Sequence, residues 1–447
     1  MYARRRAHDK GFGQADQCRC PGGLNCRVQR IRVAWVRTTV LGSAGRAGLV
    51  EVAMSVHIRG GPGEGGQNNM VSMLTKIWYG QLVYLAANLI GGTAMRALRL
   101  YGPQDIRLDD VPEPQVLPGS VKIAVDWSGI CGSDLHAYAR GPVGSMGTGG
   151  AHPITGEVGP RTLGHEFAGR IVQIGDAVTG LVVGDAVAVE PILYDGTCIW
   201  CRQGSYNLCE KMGFVGLDGW GGGFSEFVAL PAHMVHRLPA DIGTDMGALI
   251  EPLSVAWGAL NRSQFTSGET ALVIGAGPIG LALVLCLQAM GATGVFVSEP
   301  SRARRAMASS FGANVTIDPR TEDVAEVVRG HTDELGAHVA FDTSGFKSTL
   351  DSALSGIRKH GRVVNLALWE HQVEIDPMAL LAKEIDYTAS NAYSRGTFAE
   401  VISCISSGRL TPEPMVTSKI KLDDIVESGF GELLANRDRH VKILVHP

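Results

Sequence analysis

The sequence has few cysteines, few aromatic residues and no long uncharged apolar run. Its nine cysteines in 447 residues are too sparse for a disulfide framework and indicate reduced thiols in a cytoplasmic protein. No run of about 18 uncharged apolar residues occurs, so we do not expect a membrane-spanning helix. Apolar residues make up 45% and charged residues 19% of the chain, which excludes disorder for most of it. The length predicts two to three domains.

Residues 1–94 differ in charge from the rest of the chain. They carry twelve basic and four acidic side chains, whereas the remainder is acidic overall. Three interpretations stay open: a stretch upstream of a true start at Met95, a targeting peptide, or a basic arm for an acidic partner. We expect this extension to be disordered or wrongly assigned to the protein. The extension contains three cysteines, Cys18, Cys20 and Cys26. No second group of histidine or cysteine ligands follows them, so they do not predict a metal site.

Two patterns of hydrophobicity follow Met95. Across 95–251, short apolar segments alternate with glycine turns, which predicts an irregular, barrel-like β domain. Across 252–392, β-branched runs alternate with helical spacing, which predicts βαβ units and a parallel sheet. Residues 393–447 add a helix and a closing strand. The expected strands are 121–127, 168–174, 186–189, 271–274, 294–297, 315–317, 339–341, 362–366 and 441–445, and the expected helices are 279–290 and 397–406.

A glycine motif after the strand at 271–274 is typical of a dinucleotide site. It reads Gly275-Ala276-Gly277-Pro278-Ile279-Gly280. The first glycine permits a tight turn, the second lets the backbone approach a pyrophosphate, and the third allows close packing of helix on strand. The amino end of the following helix offers unpaired N–H groups to phosphate oxygens. The motif therefore predicts a Rossmann domain that binds a dinucleotide.

An acidic residue after the next strand bears on which dinucleotide binds. Glu299 lies roughly 20 residues beyond the glycine motif, near the spacing of an acid that binds the ribose 2′-hydroxyl. A carboxylate there repels a 2′-phosphate, which favours NAD over NADP. Arg302, Arg304 and Arg305 follow closely, and they could stack on adenine or hold a 2′-phosphate.

Residue types that bind zinc occur in three separate segments. Cys131, His165 and Glu251 offer a thiolate, an imidazole and a carboxylate. Three protein ligands of these kinds leave a fourth position open for chemistry. Each residue alone has an ordinary structural explanation, but next to a cofactor motif the set predicts a catalytic zinc centre.

Three further cysteines lie within twelve residues of one another. Cys198, Cys201 and Cys209 predict a structural metal lobe in a chain that is otherwise poor in cysteine. The alternative is a group of reactive surface thiols.

The chain from 95 to 447 resembles the medium-chain, zinc-dependent alcohol and polyol dehydrogenase family. The motifs that carry the resemblance lie at 152–157, 160–166, 213–217, 251–255 and 439–445. Those around 152–166 are most similar to butanediol dehydrogenases, with sorbitol dehydrogenases next. The resemblance implies an α/β fold, in which a GroES-like irregular β-barrel catalytic domain precedes a Rossmann domain with a doubly wound parallel sheet.

The resemblance also implies roles for individual residues around the metal. Cys131, His165 and Glu251 would bind the catalytic zinc. Glu166 would lie behind these ligands or exchange with water as a ligand. Asp134 would orient His165 through a hydrogen bond, as carboxylates beside metal-binding histidines do.

At the lobe, the sequence departs from the family pattern of four cysteines. Asp195 stands at the first position. A carboxylate can bind zinc, so we expect Asp195, Cys198, Cys201 and Cys209 to hold a second, structural zinc ion. The alternative is an empty or weak site, because losing one thiolate lowers the affinity for soft metals.

The reaction implied is zinc-dependent hydride transfer from an alcohol to NAD. Ser133 would take the hydroxyl proton and pass it through the cofactor ribose to His136. The expected substrate is a secondary alcohol or a vicinal diol of the 2,3-butanediol/acetoin type. A sorbitol-like polyol is the alternative substrate, and a non-catalytic nucleotide-binding relative is the hypothesis from another class. We expect a homodimer or homotetramer, with no nucleic-acid or membrane partner.

Overall fold

The structure, a computed structural model, describes residues 31–41, 47–58, 93–141 and 150–447. The chain divides into two compact units, Met1–Leu82 and Val83–Pro447. In the first unit, strands β1 (Ile31–Leu41) and β2 (Ala47–Ile58) pair as an antiparallel hairpin. The three cysteines of the extension lie outside the described residues, and the interpretation of residues 1–94 stays a prediction.

The second unit begins with short strands joined by tight turns. Its strands are β3 (Ala94–Gly102), β4 (Asp105–Pro112), β5 (Ser120–Gly129), β6 (Arg161–Thr162), β7 (Glu166–Ile174), β8 (Ala186–Val189), β9 (Ile192–Leu193), β10 (Gly213–Phe214), β11 (Phe227–Pro231) and β12 (Val235–Arg237). Its helices are α1 (Gly132–Arg140), α2 (Ile199–Arg202), α3 (Thr244–Gly247) and α4 (Ile250–Ser263). Together these elements form the irregular β domain that the glycine turns predict.

Apolar residues of neighbouring strands fill the interior of this β domain. Val121, Ile123 and Val125 of β5 pack in one buried cluster with Phe167 and Ile171 of β7. Each such side chain contributes about 1.5–3 kcal/mol when it is fully removed from water. The packing therefore fixes the register of β5 against β7, and with it the residues at the ends of both strands.

The second half of this unit is a parallel sheet covered by helices. Its strands are β13 (Thr270–Ile274), β14 (Gly294–Ser298), β15 (Val315–Ile317), β16 (Ala337–Asp342), β17 (Ile357–Asn365) and β18 (Asp386–Ala389). Its helices are α5 (Pro278–Ala289), α6 (Arg302–Ser310), α7 (Val324–Gly330), α8 (Lys347–Gly356) and α9 (Pro377–Leu381). The strand order is β15-β14-β13-β16-β17-β18, and every pairing in it is parallel. This is the doubly wound order of a Rossmann domain.

The last segment returns to the first sheet. After α10 (Thr397–Ser406), strands β19 (Val416–Lys421) and β20 (Lys442–His446) flank the short helix α11 (Glu432–Ala435). β20 pairs with β5, so the large β sheet runs β12-β8-β7-β5-β20-β19, with β11 also paired to β5. Among the described helices, none combines the length and the apolar character needed to cross a membrane.

Candidate active site and metal centres

Cys131 lies where β5 ends and α1 begins. It occupies the N-cap of α1, and its backbone N–H donates to Asp134 Oδ2 at 2.9 Å. This hydrogen bond satisfies one of the free donors at the start of the helix. The capping hydrogen bond thus joins the backbone of Cys131 to the buried side chain of Asp134.

His165 and Glu166 enter the same site from the start of β7. The ring atom Nδ1 of His165 lies 3.5 Å from Asp134 Oδ1, and Ser133 Oγ lies 3.0 Å from its Nε2. Ligand atoms of Cys131, His165 and Glu166 lie within 4.8 Å of one another. The structure therefore brings the predicted thiol and imidazole ligands together with the carboxylate that follows in sequence.

Negatively charged groups surround His165. Burial disfavours the charged imidazole, but the negative groups of Asp134 and Cys131 outweigh burial and hold the pKa of His165 well above its ordinary value. Such an environment stabilises a cation placed among these side chains.

Glu251 lies close to this group without belonging to it. Its side chain projects from the first turn of α4 and is 4% exposed. Among the described residues, it is not part of the three-residue group within 4.8 Å. Burial raises the pKa of Glu251 to about 7, while the charge of His165 lowers it and that of Glu166 raises it. The site thus offers two carboxylates, and the role of Glu251 as a ligand stays a prediction.

Lys442 is a site residue that no metal-ligand or cofactor motif in the sequence marks. Its Nζ donates to Glu166 Oε1 at 2.6 Å and to the carbonyl oxygen of Ile130 at 3.3 Å, and both side chains of the ion pair are buried. Burial alone lowers the pKa of Lys442, but the carboxylate of Glu166 and then the thiol of Cys131 raise it above its ordinary value. A lysine inside the apolar strand at 441–445 was the only signal in the sequence.

The donor set fits a zinc ion. Thiolate, imidazole and carboxylate are the zinc ligands of catalytic sites. In the described part of the chain, the buried Oε2 of Glu166 has no hydrogen-bond partner, although the other oxygen is held by Lys442. A buried carboxylate oxygen without a partner is costly, and a metal ion held with Cys131 and His165 would satisfy it.

The glycine motif forms an open cradle at the edge of the parallel sheet. Gly275 has a φ of 95°, a conformation that favours glycine. Of the described residues, a Cβ built on Gly277 meets only Arg304, whose Nη1 lies at 3.8 Å, whereas one on Gly280 would overlap the carbonyl of Gly275. Pro278 is the first residue of α5, and no side chain caps the amino end of this helix. At this amino end the backbone N–H of Ile279 suits a pyrophosphate, whereas Pro278 has no N–H to donate.

Glu299 stands beside this cradle at the end of β14. Its Oε2 accepts a hydrogen bond from the backbone N–H of Ala276, and its Oε1 accepts one from Ser301, both at 2.8 Å. The carboxylate is 6% exposed. Two backbone donors thus fix the acid next to the turn where the sequence predicts it.

Two of the three nearby arginines, Arg304 and Arg305, have partners within the protein. Arg305 Nη2 lies 3.0 Å from Asp318 Oδ2, and its Nη1 donates to the carbonyl of Glu299. Arg304 Nε lies 3.2 Å from Asp438 Oδ1. Because Arg305 already forms an ion pair with Asp318, it is less able to bind a 2′-phosphate.

The lobe brings its four predicted residues together. Ligand atoms of Asp195, Cys198, Cys201 and Cys209 lie within 4.8 Å of one another. Cys209 Sγ accepts backbone hydrogen bonds from Asp195 and Lys211, each at 3.4 Å. Burial raises the pKa of Cys201 to about 12, with the neighbouring thiols adding to it. Three sulfurs around one point fit a structural zinc ion.

Asp195 is well oriented for a ligand role. Its Oδ1 accepts hydrogen bonds from the backbone N–H groups of Thr197 and Cys198, at 2.8 and 2.9 Å. These hydrogen bonds, that from Cys198 first, lower the pKa of Asp195. Its Oδ2 lies 3.4 Å from Lys211 Nζ. The carboxylate is therefore ionised and held at the edge of the lobe.

A β domain with a thiolate, imidazole and carboxylate centre, joined to a Rossmann domain, defines the medium-chain zinc-dependent dehydrogenases. Comparison with known proteins agrees, and the chain belongs to this family. The family described as "Zinc-binding dehydrogenase" matches residues 278–407, and the one described as "Alcohol dehydrogenase GroES-like domain" matches residues 117–240. The protein is thus an oxidoreductase whose cofactors are zinc and NAD.

Similar proteins align along most of the second unit. The chain is 40% identical over 353 residues to (R,R)-butanediol dehydrogenase of Bacillus subtilis, covering 79% of this chain and 100% of that protein. It is 40% identical over 354 residues to (R,R)-butanediol dehydrogenase of Neisseria gonorrhoeae, covering 79% and 99%. The crystal structure of 2R,3R-butanediol dehydrogenase from Bacillus subtilis superimposes with a TM-score of 0.74, covering 79% of this chain and 99% of that one.

Proposed function

We propose that the protein oxidises a vicinal diol of the 2,3-butanediol type to the hydroxyketone, with NAD as acceptor, and catalyses the reverse reduction. The observation that carries the proposal is the group of Cys131, His165 and Glu166 with Ser133 beside it. The similarity to butanediol dehydrogenases supports the diol as substrate. One hydroxyl of a vicinal diol would approach the metal centre, and the other would bind nearby.

The residues of the site have different roles in the reaction. Cys131 and His165 hold the metal, and Asp134 fixes the orientation of His165 from behind. When bound, zinc supplies the Lewis acidity that lowers the pKa of a substrate hydroxyl. Ser133 lies close enough to His165 to receive the hydroxyl proton, and His136 on the same helix passes it to solvent.

We assign the third ligand position to Glu251 and an exchangeable position to Glu166. One oxygen of Glu166 accepts a hydrogen bond from Lys442. The other oxygen could therefore approach the metal while the ion pair with Lys442 stays intact. Glu251 is buried and its pKa is raised, so a cation nearby would stabilise its ionised carboxylate. Zinc content in Glu251→Gln and Glu166→Gln tests this assignment, because only the loss of a permanent ligand should empty the site.

A sorbitol-like polyol is the second candidate substrate. Glu251 stands where classical alcohol dehydrogenases supply a cysteine. A carboxylate at this position is typical of polyol dehydrogenases, and this favours the polyol as substrate. Steady-state NADH formation with stereoisomers of 2,3-butanediol, with sorbitol and with a simple secondary alcohol separates the two. Activity that survives complete removal of zinc by a chelator would contradict both, as would the absence of NADH formation with every diol and polyol.

We propose that the protein is a cytoplasmic homodimer or homotetramer. Among the described strands, none pairs with the outer edge of β18 in the parallel sheet. Exposed apolar side chains lie on or near this edge, namely Met378, Leu381 and Tyr387. An unpaired edge of this kind is suited to pairing with a second copy. All six described cysteines are free thiols, which supports a reducing compartment. Light scattering of the purified chain measures the oligomeric state.

We further propose that catalysis needs only the region from Met95 onward, with 95–251 as the zinc domain, 252–392 as the NAD domain and 393–447 as the returning segment. The pairing of β20 with β5 supports the last assignment. A chain that starts at Met95 should keep full diol oxidation, whereas a loss of activity would assign a role to residues 1–94.

A further inference from the structure

One arginine of the cofactor domain borders the glycine turn. Arg304 lies in the first turn of α6, and its Nη1 comes within 3.8 Å of a Cβ built on Gly277. Gly277 is the glycine at which the backbone approaches a pyrophosphate. The side chain of Arg304 is 18% exposed. Its guanidinium therefore lies mostly packed beside the turn, with one nitrogen at the open side of the cradle.

The opposite side of this guanidinium contacts the returning C-terminal segment. Arg304 Nη2 donates to the carbonyl oxygen of Arg437 at 3.0 Å, and Arg304 Nε lies 3.2 Å from Asp438 Oδ1. Arg304 Nε forms no hydrogen bond with a described group, so its contact with Asp438 is an ion pair by charge and distance. An arginine offers five N–H donors in a planar fork. Two nitrogens of this fork face the segment, and the third borders the turn.

The short 3₁₀ turn that carries Asp438 is braced on both sides. It spans Arg437–Arg439 and precedes β20, the strand that pairs with β5 of the β domain. Before the turn, Asn436 Nδ2 donates to Glu432 Oε2 at 2.9 Å. After the turn, His440 Nε2 lies 3.0 Å from Glu432 Oε1. Asp438 thus approaches Arg304 from a fixed part of the returning segment.

We propose that Asp438 is a positioning residue for Arg304, which it holds beside Gly277 so that Nη1 binds a phosphate oxygen of NAD. The segment that returns to the β domain then completes the phosphate site of the Rossmann domain. The proposal rests on NAD as the cofactor and is independent of which alcohol the enzyme oxidises.

The Asp438 carboxylate has two opposite effects on a bound phosphate. Its negative charge weakens the attraction of the site for an anion, but its side chain is 50% exposed, so water screens this effect. Its contact with Arg304 fixes a long side chain before the cofactor arrives, which lowers the entropy lost on binding. Nη1 of Arg304, not Asp438, borders the turn. Positioning therefore outweighs repulsion, and removing the carboxylate should weaken binding.

Dissociation constants of the zinc-loaded enzyme for NAD, measured without substrate, test the proposal. Arg304→Leu should weaken NAD binding about tenfold or more, because a charge-assisted hydrogen bond to phosphate is lost. Asp438→Asn should weaken it about two- to fivefold, the effect of a partly exposed ion pair. Asp105→Asn is the matched control, because it removes the same charge from an exposed pair with Arg107 in β4, outside the cofactor domain. The control should bind NAD like the wild type.

Two comparisons separate positioning from a local loss of structure. In Asp438→Asn, ADP-ribose, which carries the pyrophosphate, should lose affinity as NAD does, whereas adenosine, which lacks it, should bind as it does to the wild type. In an Arg304→Leu background, Asp438→Asn should cause no further loss. Unchanged or tighter NAD binding in Asp438→Asn would overturn the proposal. An equal loss for adenosine, or a further loss in the Arg304→Leu background, would overturn it too. Because no substrate is present, a wrong choice of diol affects none of these results.

Discussion

Replacing Lys442 by methionine should destabilise the zinc-free protein by about 3–5 kcal/mol, the cost of removing one partner from a fully buried ion pair. Lys442 is 1% exposed and Glu166 is 0% exposed, and their charged atoms lie 2.6 Å apart. Methionine keeps the length and most of the volume of the lysine stem. The loss therefore comes from leaving the Glu166 carboxylate buried without its cation, and not from a cavity.

Urea unfolding, followed by fluorescence and circular dichroism after zinc has been removed from all variants, measures the change. Lys347→Met is the control, because Lys347 pairs with Asp351 on the exposed face of α8 and its side chain is 47% exposed. That pair should contribute about 0.5 kcal/mol or less. The double variant Lys442→Met/Glu166→Leu should recover most of the lost stability, because replacing a buried pair by apolar groups is often neutral.

Two results would refute this reasoning about the ion pair. One is a loss in Lys442→Met no larger than in Lys347→Met. The other is a double variant that is as unstable as the single variant, which would show that Lys442 stabilises the strand through something other than the charge of Glu166.

Three further predictions concern the other parts of the site. Ser133→Ala should lower kcat by about 10²-fold or more while zinc content and NAD binding are retained, and turnover at the wild-type level would rule out the proton relay. Asp195→Cys should make the lobe hold zinc against a chelator longer than the wild type, and Asp195→Ala for a shorter time, because thiolates bind zinc more tightly than a carboxylate does. Gly277→Ala should fold normally but raise the KM for NAD by about tenfold, whereas Gly280→Ala should cost about 1–3 kcal/mol of stability because its Cβ overlaps the carbonyl of Gly275.

Local patterns predict several regular elements with both ends correct. The strands expected at 186–189 and 315–317 and the helix expected at 397–406 match β8, β15 and α10 at both ends. β17 begins at Ile357, several residues before the expected 362, because the polar residues 358–360 that follow its buried first residue are partly or fully exposed. Apolar periodicity marks only the buried part of a strand, so it misses such an exposed start.

The candidate site is predictable in its residue types and much less so in its distances. The motifs select Cys131 and His165, which the fold brings together, but spacing cannot tell which of Glu166 and Glu251 lies nearer to them. Lys442 meets Glu166 across 276 positions of sequence. Arg140 meets Glu370 across 230. Contacts between segments so far apart depend on sheet order, which a single sequence does not reveal.

The order of three strands explains why the metal site and the ion pair between Lys442 and Glu166 lie side by side. β5 lies between β7 and β20, and Gly129 at its end pairs with Glu166 on one side and Leu444 on the other. A Cβ on Gly129 would overlap Glu166 Oε2 and come within 3.4 Å of Lys442 Cδ. The missing side chain therefore provides the space in which the carboxylate and the ammonium meet, two residues before Cys131. Any larger residue at 129 would push Glu166 away from the thiol and the imidazole, so this glycine sets the geometry of the metal site although it binds nothing itself.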